Sequence, residues 1–394
     1  MKLKTLPIFL VFLLMGVADA MGPMSDAVKT EYKLSNVLAS LLPFFVFIAF
    51  AVFSVPGGLL ATRIGKKKLL LLGLGINAVA MAVPSLMAPG FALLLACIFL
   101  LGVGTTFLQV AGNPIMRDVS PEGAYSRNLS LAQGIKGLGS TASTWLVTTI
   151  TSLAIFAGMG WRGAFPLFFV LMALAFVSVA VLKVEETKVD VPPGIGASVA
   201  LLGEPIFALA VLGIFLYVGA ESCMGRFLFP SMKSIGMDEK TASKFGPALF
   251  FLLLTIGRLL GGAVLTVMSP RTCFRLSALL GLIGAGALMT GSTALAIAGV
   301  FAAGLGFANI WPMLFSITVE ERPERANELS GLMCMAISGG ALVPLVMGKL
   351  LDMNAGALAF VVPAVCFAYL LLLSLKGGGK AGAAAKTSPP AAQA

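Results

Sequence analysis

Apolar stretches of about 20 residues, the length a helix needs to cross a bilayer, follow one another along the chain, with short polar intervals between them. Twelve are read, at 5–28, 36–61, 68–87, 90–116, 128–155, 163–182, 205–232, 242–268, 273–291, 294–318, 327–350 and 355–375. None shows the period-two alternation of a membrane strand. Each therefore predicts an α-helix, whose backbone groups are satisfied within the segment. The longest polar interval, "KVEETKVDVPPGIGASVALLGEP", carries paired acids and a Pro-Pro-Gly break between the sixth and seventh stretches. It divides the chain into a first unit 1–183, a linker 184–204 and a second unit 205–376. The Gly/Ala/Pro/Lys tail 377–394 is expected to be disordered.

The two units resemble one another. "FLLGVG" (Phe99 to Gly104) returns as "FAAGLG" (Phe301 to Gly306) at an offset of 202 residues, and "GGLLAT" (Gly57 to Thr62) as "GGAVLT" (Gly261 to Thr266) at 204. "GVADAMG" (Gly16 to Gly22) finds "VGAESCMG" (Val218 to Gly225) at a similar spacing. A common offset at three places points to a duplicated unit. The predicted fold class is all-α integral membrane, with 12 transmembrane helices in two pseudo-symmetric six-helix bundles. The duplication also bears on the N-terminus, where Lys2 and Lys4 before an apolar run and "ADA" imitate a signal peptide. Because Asp19 is the counterpart of Glu221, that run is read as a retained first helix.

Composition agrees. Hydrophobic residues make up 58% of 394 positions and charged residues 11%, too apolar for a water-soluble surface. The net charge of +10 suggests no nucleic acid, because Lys and Arg sit in short alternate loops. "RIGKKK" (Arg63 to Lys68), Arg117, Arg127, Lys183, Lys188, Arg271, Arg275, Arg322 and Arg325 fall on the side of the termini. The other side holds only Lys29, Lys33, Arg162, Lys233, Lys240, Lys244 and Lys349. This bias predicts a multi-pass protein of the inner, cytoplasmic membrane with both termini cytoplasmic. Five cysteines lie without CxxC spacing and there is no histidine, so no metal site, disulfide framework or His-based catalysis is indicated. The reading is of a non-enzymatic protein without cofactor, monomeric in the lipid bilayer.

The loop "GLLATRIGKKK" (Gly58 to Lys68) resembles the G-x-L-x-D-R-x-G-R-K signature of the major facilitator superfamily. Gly58, Leu60, Arg63, Gly65, Lys66 and Lys67 are in place, and Thr62 stands at the Asp position. Within the superfamily, "AGNP" (Ala111 to Pro114), "LAQGIKGLGS", "YVGAES" and "IGRLLGG" are similar to stretches of the fucose permease family of sugar and proton symporters. So are "PMLFSITVE" and "SGLMCMAISGGALVPLVMG", and the resemblance covers both halves. It implies a secondary active transporter that moves a monosaccharide, a hexose or 6-deoxyhexose such as fucose, glucose or galactose, by alternating access. A proton is the expected coupling cation ahead of sodium. Three positions depart from the family pattern. Its helix-one Asp falls on Pro23 while Asp19 replaces an Asn, its helix-four Glu falls on Gln109, and a helix-five Asn becomes Lys136. An importer of an anionic sugar acid, or an uncoupled facilitator, is the alternative.

A charge at the bilayer centre costs about 2.5–3.5 kcal/mol on insertion scales, so it faces a cavity or a partner. Asp19, Lys136, Glu221, Arg226 and Arg258 are the candidates. Asp19 is read either as the ion-coupling carboxylate or as a standing ion pair with Lys136. Glu221 is read as a second coupling and sugar-binding carboxylate, or as a pair with Arg226 about one turn on. Gln109, Asn113 and Gln133 both donate and accept, which suits a polyhydroxylated substrate. Lys136 and Arg226 complete the polar set, and Trp311 is read as stacking on a sugar ring or as packing. Gly58, Arg63, Gly65, Lys66 and Arg258 are the expected gating residues. "ITVEERPER" and "RDVSPEG" are expected to form salt bridges between the halves.

Overall fold

A computed structural model describes residues 5–150, 158–186, 194–353 and 355–376 of the chain. The end of the predicted fifth span (151–155), the middle of the linker (187–193) and the tail 377–394 lie outside the described residues. The fold is all-helical, and ten described helices are long and apolar enough to cross a membrane.

In chain order, α1 is Leu6–Met15, continued by a 3-10 turn Gly16–Ala20 and a helix Met21–Glu31. Then come α2 (Leu41–Ile64), α3 (Lys66–Leu86), α4 (Phe91–Val119), α5 (Tyr125–Ile150), α6 (Gly160–Val181) and α7 (Pro205–Ser234). The rest are α8 (Glu239–Val264), α9 (Pro270–Leu288), α10 (Thr293–Glu321), α11 (Pro323–Asp352) and α12 (Gly356–Lys376). Local chemistry sets several ends. Ser269 accepts from Thr272 N before Pro270 opens α9. Asp238 does the same for Thr241 at the start of α8, and that hydrogen bond holds its carboxyl below the usual value. Gly65, at φ 93°, makes the sharp corner between α2 and α3 that a side chain would resist.

The predicted spans correspond to these helices, but four are not the continuous rods that hydropathy suggests. α1 unwinds at Gly16–Ala20, α8 carries a π segment at Lys244–Ala248, α10 breaks at Asn309, and α11 tightens at Ala336–Ser338. Hydropathy averages over a window and does not register one lost backbone bond.

Within the first half α4 packs on α2, α3 and α1, while α1 also meets α5 and α6. In the second half α10 packs on α8 and α9, and α7 on α11 and α12. The halves meet along two related seams, α2 with α11 and α5 with α8. Small residues let the backbones approach there. A Cβ on Gly58 would lie 2.6 Å from the Asn327 carbonyl oxygen, and one on Gly331 2.8 Å from that of Ser54. These contacts lie toward the end of the bundle that bears the basic loops, called here the basic face.

Candidate functional site

The break in α1 places Asp19 against α5. Gly16 and Gly139 bring the two backbones together so closely that a Cβ on Gly139 would meet Leu13 O at 1.9 Å. Ser143 Oγ donates to Gly16 O at 3.1 Å, satisfying a carbonyl of the unwound turn. Ser140 Oγ donates to Asp19 Oδ2 at 2.5 Å. The expected Asp19–Lys136 ion pair is not formed. Lys136 Nζ instead reaches the Gln109 amide oxygen at 3.5 Å, because Ser140, one turn beyond Lys136 on α5, takes the carboxylate.

Across from Asp19, α7 and α8 contribute a second polar group. Arg258 is 7% exposed. Its Nη2 donates to Tyr217 Oη at 2.9 Å and lies 3.5 Å from Glu221 Oε2, while Nε donates to Ala308 O at 3.2 Å. Arg258 is also within electrostatic reach of Asp19. Glu221 therefore pairs with Arg258 and not with Arg226, which is exposed and lies over the Phe227 ring. A partner one turn away on the same helix is only the nearest candidate in sequence, and the buried guanidinium of α8 is better desolvated and better aimed. Arg258, expected among the gating residues of the basic face, sits in this central cluster.

The amides predicted to bind substrate hold one another. Gln133 Nε2 donates to Asn113 Oδ1 at 3.3 Å, and Gln109, Asn113 and Gln133 are all buried between α4 and α5. Asn113 Nδ2 also lies 3.8 Å from Cys334 Sγ on α11, across the seam. Trp311 is buried, stacked on Phe315 at 5.9 Å, and its Nε1 has no hydrogen-bond partner among the described residues.

Toward the basic face, Lys66 is buried in an ion pair with Asp118, and Glu186 accepts from Lys66 N at 2.5 Å and Lys67 N at 3.1 Å. Gly65 packs against that same carboxylate, whereas Arg63 is exposed. Thr62 Oγ1, at the Asp position of the loop, accepts from Asn327 Nδ2 at 3.4 Å, a neutral contact between halves. An ion pair crosses between halves as expected, Arg117 with Glu320 at 2.7 Å. Arg322 and Arg325 instead turn to Glu204 and Glu328. A cavity of about 270 Å³ lies beside Lys67 and Leu182 to Glu185, away from the central polar groups. Among the described residues no cluster of His, Cys, Asp and Glu fit for a metal occurs.

Four contributors escape the sequence reading: Tyr217, Ser140, Ser130 and Asn309. Tyr217 stands one helical turn before Glu221 and Ser140 one turn after Lys136, so helical spacing alone nominates both. Ser130 and Asn309 carry no charge and no spacing signal, and only the packing of α5 on α8 and α10 brings them together.

Residues 8–345 match the Major Facilitator Superfamily. The chain is 31% identical to a glucose/galactose transporter of Brucella abortus over 89% of its length and 87% of the relative's. It is 24% identical to the L-fucose-proton symporter of Escherichia coli over 92% and 90% of the two chains. A crystal structure of FucP superposes with a TM-score of 0.84 at 19% identity, covering 95% of this chain and 98% of that one.

Proposed function

The chain belongs to the Major Facilitator Superfamily, and from that membership we propose that it is a secondary transporter moving a neutral hexose by alternating access with a proton. The observation that carries the reading is the likeness, over most of both chains, to relatives named for glucose, galactose and fucose. The geometry supports it. A broken helix presents Asp19 beside α5, Arg258 with Glu221 faces it from the other half, and the seams hold the basic face shut. Amide and hydroxyl groups on α4 and α5 offer the paired donors and acceptors that sugar hydroxyls take up. Asp19 is the proton carrier, released from competition by the turning away of Lys136. The basic face is cytoplasmic, and the units 1–183 and 205–376 rock about the linker 184–204.

The test is uptake by proteoliposomes of labelled glucose, galactose, fucose and hexuronates, with an imposed proton gradient, a sodium gradient or neither. Proton-driven accumulation of a neutral sugar is expected. Asp19→Asn should abolish accumulation while leaving sugar counterflow, which needs no gradient. One observation favours a second reading. Lys136 Nζ meets the Gln109 amide oxygen at 3.5 Å and, among the described residues, forms no ion pair with a carboxylate, so its charge is available to select an anion. Uptake of hexuronate alone, lost in Lys136→Gln, would replace the neutral sugar by a sugar acid.

A further inference from the structure

A buried contact of the α5–α8 seam involves two side chains, Ser130 and Asn309, that the transport reading leaves unused. Ser130 Oγ on α5 lies 2.8 Å from the carbonyl oxygen of Arg258 and 2.6 Å from Asn309 Oδ1 and shares its one proton between these two acceptors, so one hydroxyl of the first half touches two helices of the second. Asn309 Nδ2 in turn donates to Gly257 O at 3.0 Å. The junction is packed tightly. A Cβ on Gly261 would stand 2.2 Å from Asn309 Oδ1 and 2.4 Å from Ser130 Oγ.

The junction coincides with the break in α10. Pro312 has no N–H, so the carbonyl of Ala308, four residues earlier, has no helical donor. Arg258 Nε supplies one, at 3.2 Å. The same guanidinium is held at its other end by Tyr217 and Glu221. A chain of contacts thus runs from the Glu221 carboxylate through Arg258 to the α10 hinge, and through Ser130 to the opposite half.

We propose that Ser130, Asn309 and Arg258 form a positioning junction that keeps the basic face closed, and that it loosens when a substrate hydroxyl claims the Glu221 carboxylate. Arg258 then loses its contact with the Glu221 carboxylate, leaves Ala308 O, and frees the α10 hinge and the seam at Ser130 together. The inference rests on the transport reading for its trigger, while the junction itself rests on the hydrogen bonds alone.

Cys334, buried beside Asn113 on the other side of the closed interface, reports opening of the basic face. In full-length protein whose other four cysteines are alanine, the rate of Cys334 alkylation by N-ethylmaleimide is measured in proteoliposomes. Ser130→Ala should raise it by about threefold to tenfold, the scale of one or two buried hydrogen bonds lost. Ser143→Ala removes a comparable buried hydroxyl bond within the first half and should leave the rate unchanged. Glu221→Gln should also raise it, and its combination with Ser130→Ala should fall short of the product of the two effects. An unchanged rate in Ser130→Ala, an equal rise in Ser143→Ala, or fully multiplicative effects would overturn the junction. Absence of sugar uptake by the wild type, with these labelling results intact, would sink the transport reading and leave the junction standing.

Discussion

Each intramembrane charge was visible in the sequence, but its partner was not. Spacing along one helix ranks a neighbour three or four residues away, whereas Glu221 finds Arg258 on another helix and Asp19 finds Ser140. The Glu221–Arg258 contact is the more demanding of the two, since Arg258 is 7% exposed and Glu221 keeps only 23% of its side chain accessible. Removing one member of a buried pair strands the other and costs about 3–5 kcal/mol, while replacing both by apolar groups is often neutral. Glu221→Ala is therefore expected to lower the melting temperature of the purified protein markedly, near the low end of that range because the pair is partly accessible. The double variant Glu221→Ala/Arg258→Met should recover most of the stability and none of the transport. Recovery of both would make the pair a packing feature alone.

At the scale of the helix, the twelve apolar stretches were legible because the bilayer imposes length and apolarity on whatever crosses it. The breaks were not, since each depends on one or two backbone bonds. α10 is the instructive case. "NIWP" contains its cause, because Pro312 deprives Ala308 O of a donor, but the replacement donor, Arg258, lies 50 residues away in sequence. Pro312→Ala restores the missing N–H and removes the ring's clash, together about 3 kcal/mol in an ordinary helix. It should straighten α10, raise thermal stability and slow sugar counterflow, since the hinge is then held by its own backbone. A more stable variant with unchanged counterflow would show that α10 does not bend during transport. In α1 the same reasoning runs through Gly16 and Gly139, whose backbone contacts exclude even a methyl group and so fix Asp19 against Ser140.

For the whole molecule the question is what keeps the basic face shut, and magnitudes separate the loop ion pair from the α2–α11 helix seam. The ion pair between Arg117 and Glu320 crosses from one half to the other, but its side chains are 28% and 47% exposed, and pairs of that kind contribute about 0–1 kcal/mol. The α2–α11 seam is steric, and Gly331 lets α11 lie so close to α2 that an added Cβ would stand 2.8 Å from the Ser54 carbonyl oxygen. Forcing a methyl group into a contact of that kind costs about 1–3 kcal/mol, and only in the closed state, where the helices touch. Each 1.4 kcal/mol is about tenfold in a population ratio, so Gly331→Ala should shift the balance toward an open basic face by about five- to a hundredfold. Arg117→Ala should shift it by less than about fivefold. Cys334 alkylation measures both on one scale, and sugar binding from the opposite side should weaken in the same order. If Arg117→Ala opened the face more than Gly331→Ala, closure would be held by charge at the loops, and high salt would then reproduce the effect in the unsubstituted protein.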